Sequence, residues 1–133
     1  MILVALSSAG CAQPAPSTSP ADDRIADDRE LTRLFSNNTL YGSAWIEYYR
    51  PDGTSIFYSA KGTCPGTWKV ESGMACFAYE SFDKGMTNCF LIKRSGGLIV
   101  FVNPNDPRNG MVANKTVAGN PEHLTWTASS CRS

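Results

Sequence analysis

The sequence predicts a mainly β fold, an antiparallel up-and-down β-barrel of about eight strands with one short N-terminal helix. Two observations lead to this prediction. From Thr39 onward, short runs of β-forming residues recur at intervals of about ten residues, separated by clusters of Gly, Pro and Asp. A helical period occurs in one place, ahead of the first run. The 133 residues allow one domain with an ordinary apolar core.

The predicted helix covers residues 28–35. Leu31, Leu34 and Phe35 follow an i, i+3, i+4 spacing and therefore share one face. Asp27 or Asp28 is suited to cap the first turn, where acidic side chains also complement the helix dipole. We expect this helix to bury its apolar face against one end of the barrel or sheet.

The predicted strands follow from alternating residues and from turn chemistry. Turns are expected at "RPDGT" (50–54), "KGTCPG" (61–66), "SG" (72–73) and "RSGG" (94–97). Between Gly66 and Ser72 the alternation places Trp68 on the core face and Lys69 on the solvent face. The predicted strands are 39–44, 45–49, 55–60, 67–71, 74–79, 88–93, 98–103, 111–118 and 124–128.

The N-terminal stretch predicts export. "MILVAL" looks like the end of a signal-peptide core, and "SAG" supplies the small side chains required before a cleavage site. We interpret residues 1–10 as a signal-peptide remnant, residues 11–26 as a disordered tether rich in Pro, Ser and Ala, and residues 27–133 as a single β-barrel domain. The alternative is a plainly secreted protein whose leader is cleaved.

Cys11 directly follows the small residues and is predicted to carry a lipid. The segment resembles a bacterial lipobox, although Ser8 stands where that motif usually has Leu. Ala12 after the cysteine favours the outer membrane under the sorting rule of enterobacterial lipoproteins. We therefore expect an exported, lipid-anchored protein of the bacterial periplasm or outer membrane, in contact with the membrane through this anchor only.

The remaining four cysteines predict two disulfides, because an even number in an exported chain is typical of such bonds. Cys76 and Cys89 lie on consecutive predicted strands at matching distances from the hairpin tip, so they are the natural pair. Cys64 and Cys131 then form the second. A zinc site is not expected, since there is no CxxC motif and His123 is the only histidine.

Five segments resemble a family of small bacterial envelope proteins whose domain has no assigned function. The resemblance covers about Leu31 to Leu124, and the segments occur in the order "SNNTLYGS", "YYRPDGT", "GTWKV", "ACFAY" and "NCFLI". The resemblance implies a lipocalin-like antiparallel barrel in the cell envelope and gives no activity. "GTW" is also similar to the G-x-W motif of lipocalins and avidins, but it lies in mid-chain, so the ligand sites of those families do not carry over.

The residues indicate few routes to catalysis. G-x-S-x-G, H-E-x-x-H and phosphate-loop motifs are missing, and no serine is marked as a partner for His123. With 12 basic and 12 acidic residues the chain lacks the positive excess that nucleic acids require. We expect no catalytic residue, no metal and no cofactor. The following carboxylates are interpreted as solvated surface charges: Glu47, Asp52, Glu71, Glu80 and Asp83.

Three functions compete. The first is a non-catalytic envelope module, binding or structural, whose partner is a small apolar ligand or an envelope protein; the second is a periplasmic protease inhibitor, and the third, less favoured, is a hydrolase. A roomy apolar barrel would favour a ligand, a filled barrel with exposed rings would favour a protein partner, and a polar pocket around His123 would favour the enzyme.

The 45–58 hairpin is the candidate binding surface, through Trp45, Tyr48, Tyr49 and Tyr58. Alternation places Trp45, Glu47 and Tyr49 on one face of their strand, with Tyr48 on the other. Only one face can meet the core. The competing interpretation is that the helix or the N-terminal segment covers these rings.

Overall fold

The chain folds into one antiparallel sheet that curls into a barrel. The structure is a computed structural model and describes residues 23–80 and 84–125. Within these residues the elements, in chain order, are β1 (Asp23–Ile25), α1 (Asp28–Phe35), β2 (Asn38–Tyr41), β3 (Trp45–Tyr49), β4 (Thr54–Ser59), β5 (Gly62–Glu71), β6 (Met74–Ala78), β7 (Thr87–Ser95), β8 (Leu98–Val102), β9 (Gly110–Ala113) and β10 (Lys115–Ala118). The predicted fold is confirmed, with ten strands in the described residues instead of about eight.

One extended segment joins the two edges of the sheet. Strands β2 to β9 pair in sequence order, and β10 returns to pair with β2. β9 and β10 follow each other with only Asn114 between them, and the Asn114 backbone N–H donates to the Tyr41 carbonyl at 2.8 Å. The segment was predicted as a single strand, but it divides because its neighbour changes from β8 to β2.

Helix α1 fills one end of the barrel, as expected. Asp27 caps it by accepting a hydrogen bond from the Glu30 backbone N–H at 2.9 Å. Leu31, Leu34 and Phe35 are buried. The Phe35 ring lies at centroid distances of 4.9 to 6.2 Å from four rings of the barrel interior, those of Tyr49, Trp68, Phe77 and Phe101. We call this the closed end.

The opposite end, here called the open end, carries four connections: β2–β3, β4–β5, β6–β7 and β8–β9. The strand order and register place these connections together, because every second connection of an up-and-down barrel lies at the same end.

Strand β1 lies within the 11–26 segment that was interpreted as a tether. It pairs with β7 through Ile25 and Ile92, and Ile25 is 4% exposed. β7 extends beyond the residues that pair with β6, and β1 pairs with this extension of β7. A three-residue strand with one buried apolar side chain has no periodicity that would reveal it in the sequence.

The predicted turn at 61–66 is wrong. β5 begins at Gly62, so Cys64, Pro65 and Gly66 belong to a strand paired with β4. Gly and Pro are strong turn formers, and the sequence pattern therefore favoured a turn. Ladder pairing with β4 decides otherwise, and it leaves a connection of only two residues at 60–61.

The predicted Cys76–Cys89 disulfide is confirmed, and the two residues are directly opposite in the β6–β7 ladder. Cys64 is fully buried and disulfide-bonded, whereas its predicted partner Cys131 lies outside the described residues. Cys11, the predicted signal-peptide remnant and most of the predicted tether also lie outside the described residues. Of the predicted 124–128 strand, 124–125 are described and are not in a strand.

Trp68 belongs to the core and Lys69 does not, as the alternation predicts. Trp68 is 8% exposed, and the Lys69 side chain is 59% exposed. Helix α1 has eight residues, and none of the helical segments in the described ranges is long and apolar enough to cross a bilayer.

Candidate functional site: an aromatic cavity and a buried carboxylate

A cavity of about 330 Å³ opens at the open end of the barrel. Its walls come from alternate, inward-facing positions of β4, β6, β7 and β9 and from the loops beside them. The lining residues are Phe57, Phe77, Tyr79, Asn88, Phe90, Asn103, Asn109, Gly110 and Met111. The volume lies at the lower end of the range that small-molecule sites have, about 300–1,000 Å³.

Aromatic rings build most of this lining and pack against one another. The Phe57 and Tyr79 rings are 5.6 Å apart at 60°, and the Phe77 and Phe90 rings are 6.0 Å apart. Phe77 also packs on Phe35 of α1, with ring centroids at 5.6 Å. The floor of the cavity is therefore continuous with the packed core of the closed end, which holds the rings in place.

Trp45 supports the wall from the side. Its ring stacks on Phe57 at 6.1 Å with an interplanar angle of 19°, and it meets Phe101 edge-on at 6.0 Å. A Cβ at Gly42 would overlap the Trp45 ring, so the preceding loop can pass over this ring only with glycine at that position. Trp45 is thus a half-buried interior residue.

Glu47 is fully buried, and its interpretation as a solvated surface charge is wrong. It lies on β3 between Trp45 and Tyr49, on the face that these rings share, and that face points into the barrel. Phe57 is its direct cross-strand neighbour. A carboxyl in this position is costly unless polar groups surround it.

Three hydroxyl groups supply those polar contacts. Ser55 Oγ donates to Glu47 Oε1 at 2.8 Å, and Tyr49 OH donates to Oε2 at 2.9 Å. Tyr79 OH reaches both carboxylate oxygens, at 2.6 and 2.8 Å. We call these four side chains the Glu47 cluster. Gly66 leaves room for it, because a Cβ there would lie 2.6 Å from Ser55 Oγ and 2.7 Å from the Tyr79 ring.

Burial and hydrogen bonding shift the pKa of the Glu47 carboxyl group in opposite directions. Burial raises the pKa of Glu47 to about 7, and the hydrogen bonds from Tyr79, Ser55 and Tyr49 keep it from rising further. Burial, together with the charge of Glu47, raises the pKa of Tyr49 well above its ordinary value. Glu47 thus changes its charge near neutral pH.

The Tyr79 phenol connects the two features of the site. Its ring lines the cavity, and its hydroxyl binds the carboxylate. Glu47 therefore lies one side chain behind the cavity wall, out of reach of water. Tyr79 directly follows β6, so the end of that strand determines its placement.

The four aromatic residues of the predicted binding surface divide between the two faces of the sheet. Trp45 and Tyr49 face inward, and Tyr49 is fully buried. Tyr48 and Tyr58 lie on the outside, where Tyr58 is 46% exposed and Tyr48 OH donates to Asn37 Oδ1 at 2.8 Å. The structure does not bring the four together on one surface.

The other candidate residues lie away from the cavity. Asp52, Glu71 and Glu80 are exposed, as predicted, and Asp83 lies outside the described residues. Hydrogen bonds from Thr54 lower the pKa of Asp52 at its turn. His123 is exposed in a turn after β10 and is not among the residues that line the cavity.

Sequence reasoning did not identify Ser55, Tyr79 or the cavity residues Phe77, Phe90 and Met111 as parts of a site. One signal was available, namely a glutamate between two large aromatic residues on the same strand face. Such a residue is buried whenever that face is the interior.

Comparisons with known proteins give no relatives for this chain: no family model, no curated protein and no solved structure matches it.

Proposed function

We propose that this protein is a non-catalytic binding module of the bacterial cell envelope that takes a small, mainly apolar molecule into the open end of its barrel. The observation that carries the proposal is the cavity of about 330 Å³ lined by Phe57, Phe77, Tyr79, Phe90 and Met111. A preformed apolar cavity with a few polar groups at its mouth is the usual form of a small-molecule site.

The closed end supports this proposal. Because α1 fills that end, the cavity opens at the other end, and a ligand there meets rings that are already packed. Rigid aromatic walls lose little conformational entropy when a ligand binds. The amides of Asn88, Asn103 and Asn109 provide the polar groups at the mouth.

The Cys76–Cys89 disulfide supports the assignment to the envelope, because such bonds persist in oxidising compartments. The signal-peptide remnant, the lipid on Cys11 and membership of the lipocalin-like envelope family remain predictions. Together they define the proposed setting, a domain tethered to the membrane by its N-terminus.

The two alternatives have less support. A protease inhibitor would bind through exposed rings, yet Trp45 and Tyr49 face inward and leave Tyr58 as the most exposed of the four candidate rings. A hydrolase built on His123 would need that residue in a polar pocket, and it lies in an exposed turn instead.

Titration with N-phenyl-1-naphthylamine, a neutral dye that fluoresces in apolar sites, tests the proposal. We expect saturable binding to the wild type and at least about a tenfold loss in Met111→Trp, because the larger ring occupies the cavity. Val112→Trp is the matched control, since the neighbouring side chain points outward and is 44% exposed. Circular dichroism verifies that both variants fold. Absence of saturable binding, or equal losses in the two variants, would contradict the proposal.

A further inference from the structure

The hydrogen bonds around Glu47 suit an ionised carboxylate. Each hydroxyl of the Glu47 cluster has one proton, and all three protons point at the carboxylate oxygens. A protonated carboxyl group would itself donate a hydrogen bond and would need an acceptor. One of the three hydroxyls would have to accept that bond, and its own proton would then lose its acceptor on the carboxyl group. The barrel interior is therefore arranged around a negative charge.

That charge has no partner of opposite sign in residues 23–80 and 84–125. No Lys, Arg or His in these ranges forms an ion pair with Glu47. The titratable groups in contact with it are the phenols of Tyr49 and Tyr79, which carry no positive charge. The opposing residues of the two neighbouring strands, Leu40 and Phe57, are apolar.

The cavity lies beside the Glu47 cluster and offers a space in which a cation could balance this carboxylate. Tyr79 lies between the two, and its hydroxyl donates to Glu47, which makes the phenol ring more electron-rich. Phe57 is both the cross-strand neighbour of Glu47 and a wall of the cavity. Aromatic rings attract cations through their quadrupoles, and a carboxylate acts over a longer range in an apolar interior than in water.

We propose that the cavity selects small organic cations, such as quaternary ammonium groups on an apolar body, through its aromatic walls and the charge of Glu47 behind Tyr79. This inference rests on the proposed function and adds the class of ligand. Bound cation and carboxylate would then be separated by the phenol of Tyr79 and would not form a direct salt bridge, because Glu47 is fully buried.

A pair of probes with the same shape tests the charge alone. Choline carries a quaternary ammonium, and 3,3-dimethylbutan-1-ol replaces its nitrogen by carbon. Neither changes its own charge in the range used. We expect choline to displace the naphthylamine dye about tenfold more effectively than the alcohol at about pH 8, and we expect this preference to shrink at about pH 5.5, where Glu47 is protonated.

Glu47→Gln removes the charge at nearly constant volume, and the preference for choline over the alcohol should disappear in this variant. Glu80→Gln is the control, because it removes an exposed charge next to Tyr79 and changes the net charge equally. If Glu47→Gln does not fold, carboxyl ¹³C NMR of the wild type gives an independent result: choline should lower the pKa of Glu47, and the alcohol should not.

The outcomes separate this inference from the proposed function. Equal displacement by both probes, or displacement by neither while the dye still binds, would overturn cation selection and leave the apolar site in place. A preference for choline that persists unchanged in Glu47→Gln would also overturn it. If the dye does not bind to the folded wild type, both the proposed function and this inference fail.

Discussion

At the scale of single residues, the Glu47 cluster has the strongest effect on the interior. A carboxyl group with no exposed surface is retained because three hydroxyls from β3, β4 and the end of β6 donate to it. Hydrogen bonds to a charged acceptor are the stronger ones, and leaving a buried charge without them costs far more than their net gain suggests. The cluster therefore also ties these three strands together.

Tyr79→Phe should lower the free energy of unfolding by roughly 1.5–3 kcal/mol, since it removes the donor that contacts both oxygens of Glu47. It should also raise the pKa of Glu47 further, because the hydrogen bond that favours the ionised form is lost. Urea unfolding and a carboxyl ¹³C titration measure the two effects. Tyr58→Phe, an exposed phenol, should remain within about 0.5 kcal/mol of the wild type. Equal changes in the two variants would contradict the role of Tyr79.

At the scale of elements, strand β5 contributes residues to three different features of the interior. Its inward positions carry Cys64, which is disulfide-bonded, Gly66, which leaves room for the Glu47 cluster, and Trp68, which belongs to the core. Trp68 Nε1 also donates to the Arg50 carbonyl at 2.8 Å and thereby holds the β3–β4 turn. The outward positions Thr67, Lys69 and Glu71 of the same strand are exposed.

Trp68→Ala should cost roughly 3–5 kcal/mol of stability, as large core truncations do. The ring contacts both Phe35 and Tyr49, so its loss leaves a void beneath α1. Lys69→Ala should change stability by less than about 0.5 kcal/mol, because that side chain is solvated and its ion pair with Glu71 is exposed. Chemical denaturation measures both, and similar losses would mean that the faces of β5 are wrongly assigned.

At the scale of the whole molecule, the barrel has one filled end and one hollow end. The rings around Phe35 occupy the closed end, while Phe57, Tyr79 and Phe90 border an unfilled volume at the other. The strand pairing positions all of these rings, and the β6–β7 and β8–β9 connections add Tyr79, Asn103 and Asn109 to the cavity lining. This asymmetry is the physical basis of the proposed binding function.

The pH dependence of global stability should show the burial of Glu47. Its pKa is about 7 in the folded protein and 4.5 in the unfolded chain, so the folded state holds the proton more tightly. The contribution of Glu47 to the free energy of unfolding is therefore most favourable below about pH 4.5. This contribution becomes less favourable by roughly 3 kcal/mol in total as the pH rises to about 7. Unfolding in urea across this range measures the slope.

Glu47→Gln should remove that slope, whereas Glu71→Gln, at an exposed site, should retain it. The lowered pKa of Asp52 acts at more acidic pH, so it does not account for a loss of stability near neutrality. A slope that is the same in wild type and Glu47→Gln would contradict the burial of an ionisable carboxyl group.

Much of the local structure could be predicted from sequence because local residues decide it. The helix has its cap and apolar face within eight residues, and the Cys76–Cys89 pair follows from one hairpin. Alternation likewise determines which residues share a strand face. The start of β5 and the three-residue β1 could not be predicted, because both depend on pairing with another strand.

The sequence by itself determined that Trp45, Glu47 and Tyr49 point the same way; only the tertiary structure decided that they point into the barrel. The interior face depends on which strands close the sheet, and β10 comes from a part of the chain far from the β2 that it pairs with. The shape of the cavity also depends on the tertiary structure. Its walls come from β4, β6, β7 and β9, and its depth depends on how far Phe35 of α1 reaches from the other end. Distances between such separate segments are set by packing, and no local pattern contains them.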